Sequence, residues 1–155
     1  MSALRPKLDD YSSIVCTKAI ILGMEDALGA KATAIALTAA GRKRGKSLVQ
    51  SLGLSKTSES LEEVTAKLQA ALGEQGTRLC LIHNIEQTDD GFKVYVTEDI
   101  CTSGEPQGSD RKCLFTLGAV WGALEEVVGK RFQGKHTDSV LQGASQNVFE
   151  FKPFA

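Results

Sequence analysis

The sequence predicts an α+β domain in which helices pack on one face of a twisted four-stranded antiparallel sheet. Three observations carry the fold class. Four segments place apolar residues at helical spacing, two pairs of short segments alternate with period two around polar turns, and the order is ααα-ββ-α-ββ. No repeat of fixed period appears, so no solenoid or array competes with this reading.

Residues 1–10 read as a flexible tail and residues 11–155 as a single domain. The stretch "YSSIVCTKAIILGMEDALG" has helical spacing and stops at Gly29. A second helix runs from Ala32 to Leu52, with Ala34, Leu37, Thr38, Gly41, Gly45, Leu48, Val49 and Leu52 on one stripe. Glycine inside a helix costs about 1 kcal/mol relative to alanine. Gly41 and Gly45 therefore imply close approach of either another backbone or a ligand. After the polar linker "SKTSES", Ser60 and Glu63 have capping-box spacing and open a third helix that ends at Gly73.

The period then changes from helical to alternating. Leu79, Leu81, His83 and Ile85 alternate with Cys80, Ile82 and Asn84, and the turn "TDDG" leads into Phe92, Val94 and Val96. The loop "TSGEPQGSD" separates this hairpin from a fourth helix, "CLFTLGAVWGALEEVVG", whose stripe is Leu114, Leu117, Trp121, Leu124 and Val128. Two strands close the chain, Arg131 to Val140 and Asn147 to Lys152.

A chain of 155 residues with 42% hydrophobic residues can bury a core without staples. Cys16, Cys80, Cys101 and Cys113 contain no CxxC pair and follow no secretory signal pattern, which argues against a disulfide framework and for a reducing, cytoplasmic setting. The apolar stretch from Ile14 to Ala40 is broken by Lys18, Glu25, Asp26 and Lys31, so it makes a poor membrane span. A net charge of −1 gives no general pull toward nucleic acid. The basic run "GRKRGK" lacks interleaved aromatics and reads as a solvated helix face.

The segment "KHTDSVLQGASQN", Lys135 to Asn147, gathers His136, Asp138, Ser139 and Asn147. A Ser-His-Asp arrangement fails on geometry, because residues i and i+3 of a strand lie on opposite faces. Neither a nucleophile elbow nor a GxGxxG loop occurs, so no catalytic residue is assigned. Two readings remain. The polar groups either satisfy the backbone near a turn, or His136, Ser139 and Asn147 form a rim that orients a ligand. Trp121 is either core filler or a pocket wall. His83 is either a core histidine with one partner or a polar contact inside a pocket.

The element order, "GRKRGKSLVQSLGL" and "CLFTLGAVWGALEEVVGKRF" resemble the 4-vinyl reductase domain family, a hydrocarbon-binding family related to TRAPP vesicle-tethering subunits. The resemblance spans Tyr11 to Phe151. It implies a homodimer with an apolar pocket between helices and sheet, and ligands such as tetrapyrrole precursors or aromatic hydrocarbons. The expected function is non-enzymatic ligand binding by a free-standing carrier, assembly factor or sensor, with tetrapyrrole handling connected to photosynthesis as its most specific form. The contacts would come from His83, Trp121, His136, Ser139, Asn147, Gly41 and Gly45. The alternatives are a protein-interaction scaffold with a vestigial pocket, like tethering-complex subunits, and a vinyl-group reductase; the expected setting is cytoplasmic, with a protein partner in an assembly complex as the route to any peripheral membrane placement.

Metal-binding members resembling this chain hold zinc with a Cys before the fourth helix, Glu-x-x-Cys, and a further Cys across the last hairpin. The matching positions are Cys113, His136, Ser139 and Asn147, of which only Cys113 is retained, and a structural zinc site normally needs four Cys or His donors. That argues against zinc there. A displaced constellation of Glu98, Cys101, Cys113 and His136 is the metal version worth testing. The acylated cysteine of the TRAPP subunits corresponds to the region around Leu61, "GLSKTSESL", which has no cysteine.

Overall fold

A computed structural model describes residues 5–7 and 13–154. The tail and the expected start of the first helix fall largely outside them. The elements are α1 (Ile14–Leu28), α2 (Ala30–Ser51), α3 (Leu61–Leu72), β1 (Leu81–Gln87), β2 (Phe92–Thr97), a 3₁₀ turn (Ile100–Thr102), α4 (Leu114–Val128), β3 (Phe132–Asp138), a second 3₁₀ turn (Val140–Gln142) and β4 (Asn147–Pro153). The α+β class and the element order are those the sequence predicts.

Both hairpins join one antiparallel sheet in the order β1-β2-β4-β3, so β4 pairs with β2 as well as with β3. That central position explains the composition of β4. Phe149 and Phe151 are fully buried on it, and Asn147 at its start is equally buried. At the start of α3, Ser60 accepts from the Glu63 amide while the Glu63 carboxylate accepts from the Ser60 amide.

Four glycines fix the main helix pair. A Cβ added at Gly41 would collide with the carbonyl of Phe115, and one at Gly45 with that of Ala119. From the other side, Gly118 and Gly122 meet the carbonyls of Thr38 and Arg42 in the same way. The backbones of α2 and α4 thus touch along two small-xxx-small stripes. Of the two readings of Gly41 and Gly45, the structure shows the second backbone, and that approach leaves no space for a ligand at either glycine.

Two strands depart from the expected pattern. A bulge between Ile82 and Asn84 turns Ile82 and Ile85 inward and leaves His83 exposed, so His83 does not share a face with Ile85. β3 ends at Asp138 rather than Val140. The Ser139 hydroxyl accepts from the Leu141 amide, and Asn147 Oδ1 accepts from the Val140 amide, bending the chain into a turn.

Gly45→Ala and Gly122→Ala are each expected to lower stability by about 2 kcal/mol, since overpacking outweighs the gain in helix propensity. The double variant should lose less than the sum, because one separation of α2 from α4 relieves both clashes. Urea denaturation of the four chains measures this, and strict additivity would mean that the two clashes are independent.

Candidate functional site

The buried polar side chains gather where α4 begins. Cys113 immediately precedes α4, His136 lies on β3, Asn147 opens β4, and Ser139 stands between those strands. All four are buried, as are Asp99, Cys101 and Thr116 beside them. The Cys113 amide donates to His136 Nδ1 at 3.3 Å, and Asn147 Nδ2 donates to Cys113 Sγ at 3.7 Å. The sheet produces this meeting. His136 is in register with Phe149, and Asn147 with Val96, so both point toward the N-terminus of α4.

The structure joins Cys101 to Cys113 in a disulfide with Cα atoms 5.3 Å apart, while Cys16 and Cys80 are free thiols. The sequence argues against a disulfide framework, and the structure corrects this to the extent of one bond, Cys101–Cys113. The closing loop follows a path that no periodicity describes. Gln142 Nε2 donates to the carbonyls of Gly108 and Ser109, Gln107 Nε2 donates to those of Val140 and Leu141, and the Gly108 amide donates to Leu141 O at 2.7 Å. Ion pairs hold the same loop to α1. Lys18 reaches Glu105 at 2.8 Å and the Cys101 carbonyl at 3.1 Å, and Arg111 bridges Glu105 and Glu25.

Asp99 is the least comfortable group of the cluster. Its Oδ1 accepts from the Cys101 amide and the Thr116 hydroxyl, both at 3.0 Å, whereas Oδ2 is buried with no partner among the described residues. Burial pushes its pKa up from 3.8 to about 7, against those two hydrogen bonds. Burial, followed by the charge of Asp99, also raises the Cys80 thiol well above its ordinary value. For His136, burial and then the Lys112 ammonium hold the pKa below its usual value. With Nδ1 accepting from Cys113, the neutral ring carries its hydrogen on Nε2, which has no partner among the described residues.

The four positions implied for zinc do come together, but their chemistry does not suit the ion. Cys113 is bonded to Cys101, His136 Nδ1 is taken by a backbone amide, and Ser139 and Asn147 are engaged with the turn. One thiol and one imidazole nitrogen fall short of a zinc set. Glu98 is exposed, with φ +54, and it is Asp99 that turns inward. His83 lies on the outer strand, 2.6 Å from Thr97 Oγ1. Trp121 is half-buried against β3 and β4, and its indole N–H donates to Phe132 O at 2.9 Å. Asp99 was absent from the sequence-level candidates. Its signal was the "DIC" tripeptide at the end of a hairpin, which names no direction for the carboxylate.

Beside the Cys101 turn, a small, partly open cavity of about 20 Å³ lies between α1, α2 and α4, where Ile21, Leu37, Leu114 and Phe115 line it together with Lys18, Arg111 and Lys112. It could hold about one water molecule.

The backbone with this arrangement is shared by solved proteins. The phenol-responsive sensory domain of the transcription activator PoxR, solved with phenol, matches at TM-score 0.67 and 13% identity, over 92% of this chain and 75% of that one. Trafficking protein particle complex subunit 3 from Naegleria fowleri, covalently bound to palmitic acid, matches at TM-score 0.61 and 16% identity, over 92% and 93%. The fold is TRAPP-subunit-like. A vinyl-4-reductase family protein from Methanocaldococcus jannaschii matches at TM-score 0.47 and 16% identity, over 100% and 84%. No protein-family model and no curated protein matches the sequence.

In the disulfide-bonded protein, the stability held by Asp99 is fully present below about pH 4 and is lost as pH rises through about 7, because the folded chain retains a proton that the unfolded chain has released. Asp99→Asn should remove this slope, gaining up to about 4 kcal/mol on the wild type between pH 4 and pH 8. Denaturation across that range measures it, and parallel curves would show that Asp99 does not titrate there.

Proposed function

We propose that the protein is a non-enzymatic binder of a hydrophobic small molecule, working as a homodimer in a carrier, assembly or sensing role. The observation that supports this best is the small cavity between α1, α2 and α4, whose apolar wall is Ile21, Leu37, Leu114 and Phe115 and whose rim carries Lys18, Arg111 and Lys112. Its walls are the side chains of a helix pair on one side and the lightly packed α1 on the other. Only Ile21 of α1 is buried, so apolar packing holds that helix lightly and its main ties are the ion pairs of Lys18 and Glu25. Outward movement of α1 would enlarge the cavity at modest cost in buried area, at roughly 25 cal/mol per Å². The shared fold of a domain solved with phenol makes a small aromatic compound the first ligand to try, and a tetrapyrrole the larger one.

A specific observation also supports a protein partner. Val15, Ile20, Leu28 and Ile35 are more than half exposed on α1 and α2. Exposed large apolar side chains on two adjoining helices are a candidate interaction surface, and a second copy of the chain is the occupant proposed. No helix among the described residues is long and apolar enough to cross a membrane. A peripheral placement would therefore come through a partner.

Thermal unfolding with phenol, substituted phenols and a porphyrin tests the ligand reading. A ligand at one hundred times its Kd should stabilise the chain by about 2.7 kcal/mol, and Leu37→Trp should abolish the shift by filling the cavity. Light scattering tests the dimer, which Ile20→Asp should split. A dimer that takes up none of these compounds would favour the scaffold role.

A further inference from the structure

A groove of about 530 Å³ lies at the C-terminal end of α4. α2 lends it Arg42, Lys43 and Lys46, and the link from α4 to β3 lends it Lys130 and Arg131. Its only carboxylates are Glu125 and Glu126, so an excess of three positive charges stands in one concave surface of a chain whose net charge is −1. Both carboxylates are engaged. Glu125 accepts from Arg42 and from the Phe132 amide, and Glu126 accepts from Gln50 Nε2 at 3.2 Å and Ser55 Oγ at 2.8 Å. Lys43, Lys46 and Lys130 form no ion pair among the described residues. The negative pole at the end of α4 favours cations near its last turn, which accounts for Lys130 and Arg131 but not for three more on α2. None of the 22 residues of α2 is acidic, and Lys46 follows Arg42 and Lys43 at the two spacings that make helix neighbours, where like charges repel.

The two arginines of the groove are held in place. Arg42 lies over the Trp121 ring, 4.5 Å from its centroid, and Arg131 over the Phe154 ring at 5.5 Å. The run "GRKRGK" has no aromatics of its own, and the fold supplies them from α4 and from the segment after β4. A guanidinium fixed in this way loses little freedom on binding, and its paired N–H groups match the oxygens of a phosphate. We propose that this groove binds a small soluble anion carrying two or more phosphate groups. Arg42 and Arg131 grip phosphate oxygens, and Lys43, Lys46 and Lys130 supply the remaining charge as adaptable ammonium groups. The rings of Trp121 and Phe154 carry arginines rather than offering a base-stacking platform, and the volume suits a small molecule rather than a nucleic-acid strand. No residue of the groove lines the cavity between α1, α2 and α4, so the proposal is independent of the hydrophobic-ligand reading and survives its failure.

Calorimetric titration of the full chain with inorganic tripolyphosphate, at about 0.15 M salt so that distant charges are screened, tests the site. Binding should saturate and should change the fluorescence of Trp121, the single tryptophan, which lies under Arg42. Lys46→Glu and Lys130→Glu should each weaken it by about tenfold or more. Both lysines are exposed, so these variants keep the core intact. Lys31→Glu makes the same change of charge on α2 outside the groove and should leave binding within about twofold. Citrate, an anion without phosphorus, should bind about tenfold more weakly than tripolyphosphate. Absence of saturable binding overturns the proposal, and so does equal weakening by Lys31→Glu, which would mark a response to net charge alone. Equal affinity for citrate overturns the assignment to phosphate. Uptake of phosphatidylserine vesicles or of single-stranded RNA, with none of tripolyphosphate, would overturn the small-molecule assignment.

Discussion

Backbone contact between α2 and α4 sets the positions of most other elements. With Gly41 and Gly45 facing Gly118 and Gly122, the two helices approach until main chain meets main chain, which leaves α4 one place to lie. Both ends of α4 then reach the sheet. Near its C-terminus, Glu125 accepts from the Phe132 amide at 2.8 Å and pairs with Arg42, which also stacks over Trp121 at 4.5 Å. At its N-terminus, the Cys113 amide donates to His136. One helix therefore couples α2 to both ends of β3, and the sulfur of Cys113 is placed by the same packing that builds the core.

That placement brings polar groups into a region where they are costly. A buried polar atom without a partner costs on the order of 1–3 kcal/mol, and an apolar filling would avoid the charge. Most of the cluster meets the cost with hydrogen bonds to the adjoining turns. Three side-chain atoms among the described residues do not: Thr33 Oγ1, Asp99 Oδ2 and His136 Nε2. Thr33 lies on α2, whereas the other two residues lie in the cluster around Cys113. Unmet polar capacity of this kind is costly and asks for an explanation other than packing.

The helices and the two hairpins were legible because their signals are local. The Ser60–Glu63 box and the stripes at helical spacing each state a conformation within a few residues. Gly41 and Gly45 also announced a close approach, although not whether a helix or a ligand would make it. The misreadings share a different cause. His83 was placed by strict alternation, and one bulged residue reverses the face of everything beyond it. The Cys101–Cys113 bond depends on the eleven-residue stretch between the two cysteines, whose path is set by Gln107 and Gln142 reaching across to distant carbonyls. Side-chain bonds of that kind leave no period in the sequence. The opening of β4 at Asn147 was read correctly, but its burial depends on the pairing of β4 with β2, a long-range choice made by the whole sheet.

The cavity and the sulfur cluster are not separate places. Cys101, Leu114 and Thr116 line the cavity, and the same Thr116 donates to Asp99 while Cys101 carries one of the paired sulfurs. Lys18 extends the connection to α1 through the Cys101 carbonyl and Glu105. Outward movement of α1 would strain these contacts, and a change at the sulfurs would alter the turn that lines the cavity. Coupling between two equilibria that share a structural element is reciprocal: each changes the other by the same factor. In this fold the shared element is the short turn from Asp99 to Thr102, held by Thr116 on one side and Lys18 on the other.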